Sequence, residues 1–297
     1  MNKIASGTAI EKRHTVLSDF LEGSYCGSRD GAPFPTTSKR NDLYKEMAPK
    51  LAQTVCEKAL NMWGGDRSAI THVISVSCTG MIAPGIEYLL IGSLGLSSRV
   101  QRLGINFMGC FGAFKGLAIA KSIALENPSH RVLVVCTELC SLHFQQDFKM
   151  DTLVANSIFA DGAAGVVVGT DPQKREKPLF ALQEQASHAV QETLDLMTWE
   201  VCDSGYQMRL SASVPAQLER HIVPFARDLL GPGLPFEKCT WAIHPGGKAI
   251  IEGISRACSL QTTQTAASWK VLKEQGNMSS PTFLFVLKEI LESAKLN

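Results

Sequence analysis

Apolar residues recur at helical spacing from Asp42 to Met62, and the Gly64-Gly65 pair beyond them predicts where that helix stops. THVISVSC (71–78) is a short β-branched run and predicts a buried strand. A loop with Gly80, Pro84 and Gly85 follows, then a helix over 86–94. LGINF (103–107) predicts a second strand and FGAFKGLAIAKSIALEN (111–127) a long helix rich in small residues. VLVVCT (132–137) and AAGVVVG (163–169) predict two more buried strands. The second half has the same flavour. It predicts an amphipathic helix over 213–230, a strand at CTWAI (239–243), a helix from 246 to 259, another ending before Gly276, and a last one over 281–294. Strands alternating with helices predict a layered α/β fold around a largely buried sheet. The first 40 residues, with EGSYCGSRDGAPFPTTSKRND, predict a loop-dominated surface segment.

Composition narrows the function. The 297 residues are long enough for a large core, and 45% hydrophobic with 19% charged residues suits a folded chain. A formal net charge of +1 carries no footprint for nucleic acid, while an anionic substrate such as a CoA ester needs only a few local cations. No basic head with an apolar run opens the chain, and no apolar stretch nears the roughly 20 residues that span a bilayer, so a cytoplasmic protein is expected. The nine cysteines, at positions 26, 56, 78, 110, 136, 140, 202, 239 and 258, form no CxxC pair and no zinc-like spacing. Free thiols in a reducing compartment follow, with no metal.

Three positions carry candidate chemistry. Cys110, in NFMGCFGAFKG, falls between a predicted strand and a predicted helix, where free helix N–H groups favour thiolate and a lowered pKa. Gly109 and Gly112 let the backbone turn sharply beside it. His244, in WAIHPGGKAI, sits at a second such junction and can move a proton near neutral pH. Asn277, in QGNMSSPT, has a side-chain N–H₂ that can donate to a developing enolate or thioester oxygen, with Ser279 or Ser280 capping the next helix. On local sequence alone each keeps a structural reading: a small buried apolar thiol, a capping histidine, a turn asparagine.

Together, and in that order, MGCFGAF, HPGG and GNMSS resemble type III polyketide synthases of the chalcone/stilbene synthase kind. VSCTGMIAPGIEYLL, RVLVVCTEL and DTLVANSIFADGAAGVVVG match as well, as does the His–Asn spacing of 277 − 244 = 33 residues. Thr137–Ser141 and MTWEVCDSGYQM look more like the bacterial pyrone- and resorcinol-forming branch. The resemblance implies a thiolase-like α-β-α-β-α fold of two pseudo-repeated halves, 1–172 with the nucleophile and 173–297 with His244 and Asn277. It implies an acyltransferase in which Cys110 takes an acyl-CoA starter, His244 pairs with the thiolate, and His244 with Asn277 hold the enolate of decarboxylated malonyl-CoA. No cofactor beyond these CoA substrates is implied, and a homodimer is. Phe159 matches the family's gatekeeper phenylalanine. Where the family has a second gatekeeper, a small wall residue and two threonines, this chain has Met208, Trp199, Cys140 and His143, with Ser279 beside them. Lys12, Arg13 and Ala249 are candidate CoA contacts. Relative to the family pattern both ends look short, with Gly7 at a CoA-lysine position and no GFGPG-type loop after Asn277. An initiating ketoacyl-acyl-carrier-protein synthase, or an inactive short homologue that binds acyl-CoA or a partner subunit, is the alternative.

Overall fold

The computed structural model describes residues 7–18, 34–147, 149–231 and 233–294. Cys26 and most of the predicted surface segment lie outside them.

One sheet organises the first half. Its strands are β1 (His72–Ser77), β2 (Gln101–Asn106), β3 (Arg131–Leu139) and β4 (Asp161–Gly169), in the order β2-β1-β3-β4. β1 runs parallel to β2 and β3, while β4 is antiparallel to β3. Alternate residues of the inner strands feed two separate cores. Val73, Leu133, Val135 and Leu139 join Tyr44, Ala48, Ala52 and Leu60 of helix α1 (Thr37–Trp63). Ile74, Val76, Val132, Val134 and Cys136 join Ala113 and Ala120 of helix α3 (Gly112–Glu126) on the opposite face. Burial of both faces explains why these strands read as continuous apolar runs. α1 ends as its sequence predicts: Gly64 is left-handed at φ 79° and donates its N–H to Leu60 O. Helix α2 (Ile86–Ser93) links β1 to β2, and α4 (Met150–Ile158) precedes β4.

The second half is mainly helical: α5 (Val214–Leu230), α6 (Lys248–Ala257), α7 (Ala266–Gln275) and α8 (Thr282–Ala294). Phe236, Ile243, Ile251, Ile254 and Leu272 form its own core. Ala160, Val271, Met278 and Val286 form a smaller core that ties α7 and α8 to the start of β4. The mixed α/β architecture is as expected, with three differences, the first being α4, which the hydrophobic pattern does not announce. CTWAI is not a strand. Trp241 N bonds Gln264 O and Ile243 N bonds Ser268 Oγ, but no strand among the described residues lies beside the run, and a strand exists only by pairing. Conversely, β5 (Met197–Cys202) and β6 (Gly205–Leu210) form an antiparallel hairpin that the pattern does not announce, because its faces are only half buried. No helix among the described residues is long and apolar enough to cross a membrane.

Candidate active site

Cys110 sits in the tight turn Gly109–Phe111 between β2 and α3. The backbone bends there through two left-handed residues, Phe107 at φ 55° and Gly109 at φ 61°. A left-handed phenylalanine is strained, and such strain persists only where the surroundings hold it. Gly109 N donates to Cys78 Sγ at 3.1 Å, which fixes the turn on the end of β1.

Asn277 is fixed from both sides of its backbone. Its N–H donates to Ile158 O and its carbonyl accepts from Ala160 N, each at 2.9 Å, a parallel bridge to Phe159. Gly276 before it is left-handed at φ 71°, and Ser279 after it at φ 60°. The Asn277 carboxamide spans the two halves: Oδ1 accepts from the Cys110 thiol at 3.7 Å and from Ser279 N at 2.8 Å, while Nδ2 donates to Gly246 O at 3.2 Å. Through Gly246 the histidine loop is brought in, since a Cβ added there would lie 3.8 Å from His244 Nε2. Both ring nitrogens of His244 are buried without a hydrogen-bond partner.

The electrostatics differ from the expected lowered thiol. Burial pushes Cys110 up to about 11, outweighing its hydrogen bonding with the Ser279 and Asn277 side chains. Burial alone pushes His244 down to about 4. The resting pair is therefore thiol and neutral imidazole, with no hydrogen bond joining them. The helix N-terminus is in place, but desolvation is the larger effect.

Phe159, Met208, Trp199, Cys140 and His143 line one cavity of about 550 Å³, together with Arg13. Trp199 is pinned by Nε1–H donating to Cys78 O at 3.0 Å. His143 donates from Nε2 to Thr79 O at 2.7 Å, accepts from Tyr206 N at 3.0 Å, stacks on Tyr206 and meets Trp199 edge-on. Ser279 is buried beside Cys110. Of the candidate CoA contacts only Arg13 reaches the cavity; Lys12 and Ala249 are exposed and outside its lining. Arg13 turns Nη1 inward, to backbone carbonyls of Asn156 and Phe159.

Glu138 escaped the sequence reading. Fully buried, it accepts from Cys78 N and Thr79 Oγ1 at 2.8 Å and from Ser280 Oγ at 2.6 Å, joining β1, β3 and the turn after Asn277. Burial pushes it up to about 7. A lone acid inside the apolar run RVLVVCTEL was its signal. No cluster among the described residues could hold a metal ion.

Comparison with known proteins bears on this geometry. Residues 1–172 match the family described as chalcone and stilbene synthases, N-terminal domain, and 181–297 the corresponding C-terminal domain. Probable polyketide synthase 1 of Dictyostelium discoideum is 37% identical over 268 residues, 88% of this chain but 8% of that much longer protein. Type III polyketide synthase A of Arabidopsis thaliana is 30% identical over 99% of this chain and 76% of its own length. The crystal structure of the C-terminal type III polyketide synthase domain of Steely1, a type I/III hybrid from Dictyostelium, superposes with a TM-score of 0.91 at 34% identity. That match covers 98% of this chain and 81% of the Steely1 domain chain.

Proposed function

The chain belongs to the chalcone and stilbene synthase family, and on that premise we propose that it is a type III polyketide synthase, an acyltransferase condensing an acyl-CoA starter with malonyl-CoA. The observation that carries the reading is the Asn277 carboxamide, bonded to Cys110 on one side and to the His244 loop on the other. Cys110 attacks the starter thioester, and its proton passes to His244. Transfer within the pair suits a site where burial opposes each charge singly, because two opposite desolvated charges favour each other. His244 returns the proton to the departing CoA sulfur. A malonyl unit then loses CO₂: the bond to its carboxylate carbon breaks and the electron pair becomes an enolate. The N–H of the neutral His244 ring, whose nitrogens are both unpartnered, and the second N–H of Asn277 Nδ2 are donors for that enolate oxygen. The enolate carbon attacks the Cys110 thioester carbonyl, the acyl C–S bond breaks, Cys110 leaves as thiolate and regains a proton from water, and the chain, now carried on CoA, is two carbons longer.

Phe159 serves as the apolar wall that denies the malonyl carboxylate its water. Trp199, held rigidly, and Met208 favour a linear acyl starter with few extensions, closing to a pyrone, over a bulky flavonoid. The substrates are acyl-CoA and malonyl-CoA, with no further cofactor, in the cytoplasm. Residues 1–172 supply the nucleophile and 173–297 the donors. A homodimer is supported by the outer edge of β2, which no strand among the described residues pairs with and beside which Leu103, Phe107, Met108 and Phe111 stand exposed.

Intact-protein mass spectrometry after incubation with assorted acyl-CoAs tests the reading. One acyl mass is expected on the parent and none on Cys110→Ala, a loss beyond about 10³-fold. An acyl adduct that survives Cys110→Ala sinks the nucleophile assignment. Turnover of carrier-protein-bound malonate in preference to malonyl-CoA would point to a ketoacyl synthase instead.

A further inference from the structure

Residues 10–17 run outside helix and strand along the cavity, which Arg13, His14, Thr15 and Leu17 help to line, and are tied down at both ends. Glu11 N and Lys12 N donate to Lys273 O at the last turn of α7, and Asp161 N donates to His14 O. Thr15 Oγ1 reaches Ser141 Oγ at 2.8 Å, and Val16 N reaches Asp161 Oδ2 at 2.8 Å. Between these anchors Arg13 Nη1 donates to two carbonyls, Asn156 O at 2.6 Å and Phe159 O at 2.8 Å.

Both acceptors belong to the C-terminal end of α4, where carbonyl groups run out of helical partners and carry partial negative charge. Asn156 O would normally receive Ala160 N. That N–H goes to Asn277 O instead. The guanidinium fills the vacancy, as basic side chains do at helix ends. By holding Phe159 O, it also fixes the peptide plane whose other end is Ala160 N. The two backbone bonds that place Asn277, to Ile158 O and from Ala160 N, thus flank the carbonyl that Arg13 grips. The arginine stem lies against the same turn from outside. A Cβ on Gly276 would stand 2.9 Å from Arg13 Cγ and 2.9 Å from Ile158 O.

We infer that Arg13 is a positioning residue: by capping α4 it holds the Phe159 ring and the Asn277 carboxamide in register for loss of CO₂ from the malonyl unit. This rests on the polyketide-synthase reading above. It replaces the phosphate-contact role expected from the family likeness with one directed at the protein's own backbone.

Arg13→Gln and Arg13→Lys separate the roles. In Arg13→Gln, acylation of Cys110 by acyl-CoA is expected to stay within about twofold and the KM for malonyl-CoA within about threefold, while kcat for CO₂ release falls about tenfold or more. Arg13→Lys, able to reach one carbonyl, should recover part of that loss. A rise in KM for both CoA esters with kcat unchanged would make Arg13 a phosphate contact and overturn the inference. Equal loss of loading and decarboxylation, with no recovery in Arg13→Lys, would reduce it to a general fold contact and overturn it too. Hydrogen exchange needs no turnover. In Arg13→Gln the Ala160 and Asn277 amides should lose about tenfold protection while β3 amides keep theirs, and unchanged protection overturns the inference even in a chain that proves inactive.

Discussion

Cys110 and His244 are carried by regions of opposite character. The nucleophile follows the edge strand β2 of a sheet whose inner strands pair on both sides and bury both faces, and its turn is fastened to the end of inner strand β1 through Cys78. The histidine follows CTWAI, a run outside any strand in which Trp241 N donates to Gln264 O, Ile243 N to Ser268 Oγ, and Cys239 O accepts from Gln264 Nε2, among helices with a smaller core. Links that stitch the regions at the site include the Asn277 bridge to Phe159, the Cys110–Asn277 and Ser280–Glu138 hydrogen bonds, and the small core around Met278. The nucleophile's position is thus a property of one region, whereas the donor positions depend on the joint between two. Chemistry that needs all three groups on one carbonyl is as precise as that joint.

The sharpest test compares matched truncations in the two cores. Leu133→Ala, in the sheet, should cost about 4 kcal/mol in urea unfolding, and Ile243→Ala, beside His244, about 2 kcal/mol because an unpaired segment can close on the void. Equal costs would erase the distinction. Next comes the joint itself: Asn277→Ala should lower CO₂ release about 10²-fold while leaving Cys110 able to take an acyl group, as intact mass would report. Loss of loading in step with decarboxylation would mean that the carboxamide holds the nucleophile rather than the enolate. The smallest effects are pH slopes of opposite sign. His143 is depressed to about 4 by burial, so its contribution is present above 6.5 and lost as pH falls through 4. Glu138 is raised to about 7, so its contribution is present below 4.5 and lost as pH rises through 7. Each should tilt stability by up to about 1.4 kcal/mol per pH unit within its window. Chemical denaturation across pH should show the acid limb flattened in His143→Gln and the neutral limb flattened in Glu138→Gln. A variant keeping the parent slope would show that its group does not titrate there.

Local pattern marked α1, α2, α3 and the four strands of the sheet, because a buried helical stripe leaves its period in the sequence and a strand buried on both faces, as β1 and β3 are, reads as a continuous apolar run. The turns of Cys110, His244 and Asn277 were legible for a related reason: glycine and proline at a strand or helix end are local signals. What escaped depends on partners. CTWAI has strand composition without a neighbour, and β5–β6 pairs although its alternation is weak. The inward turn of Arg13 depends on Asn156 and Phe159, more than 140 positions away.

The amino-acid order therefore determined which groups could do chemistry and that each would stand where the chain changes direction. Tertiary structure decided their charge and aim. Water excluded by distant segments lifted the Cys110 thiol and depressed the His244 imidazole, and a hydrogen bond across two regions, from the Cys110 thiol to Asn277 Oδ1, oriented the carboxamide. Desolvation and cross-chain bonding are set by what comes close in space, and spacing along the chain does not encode that.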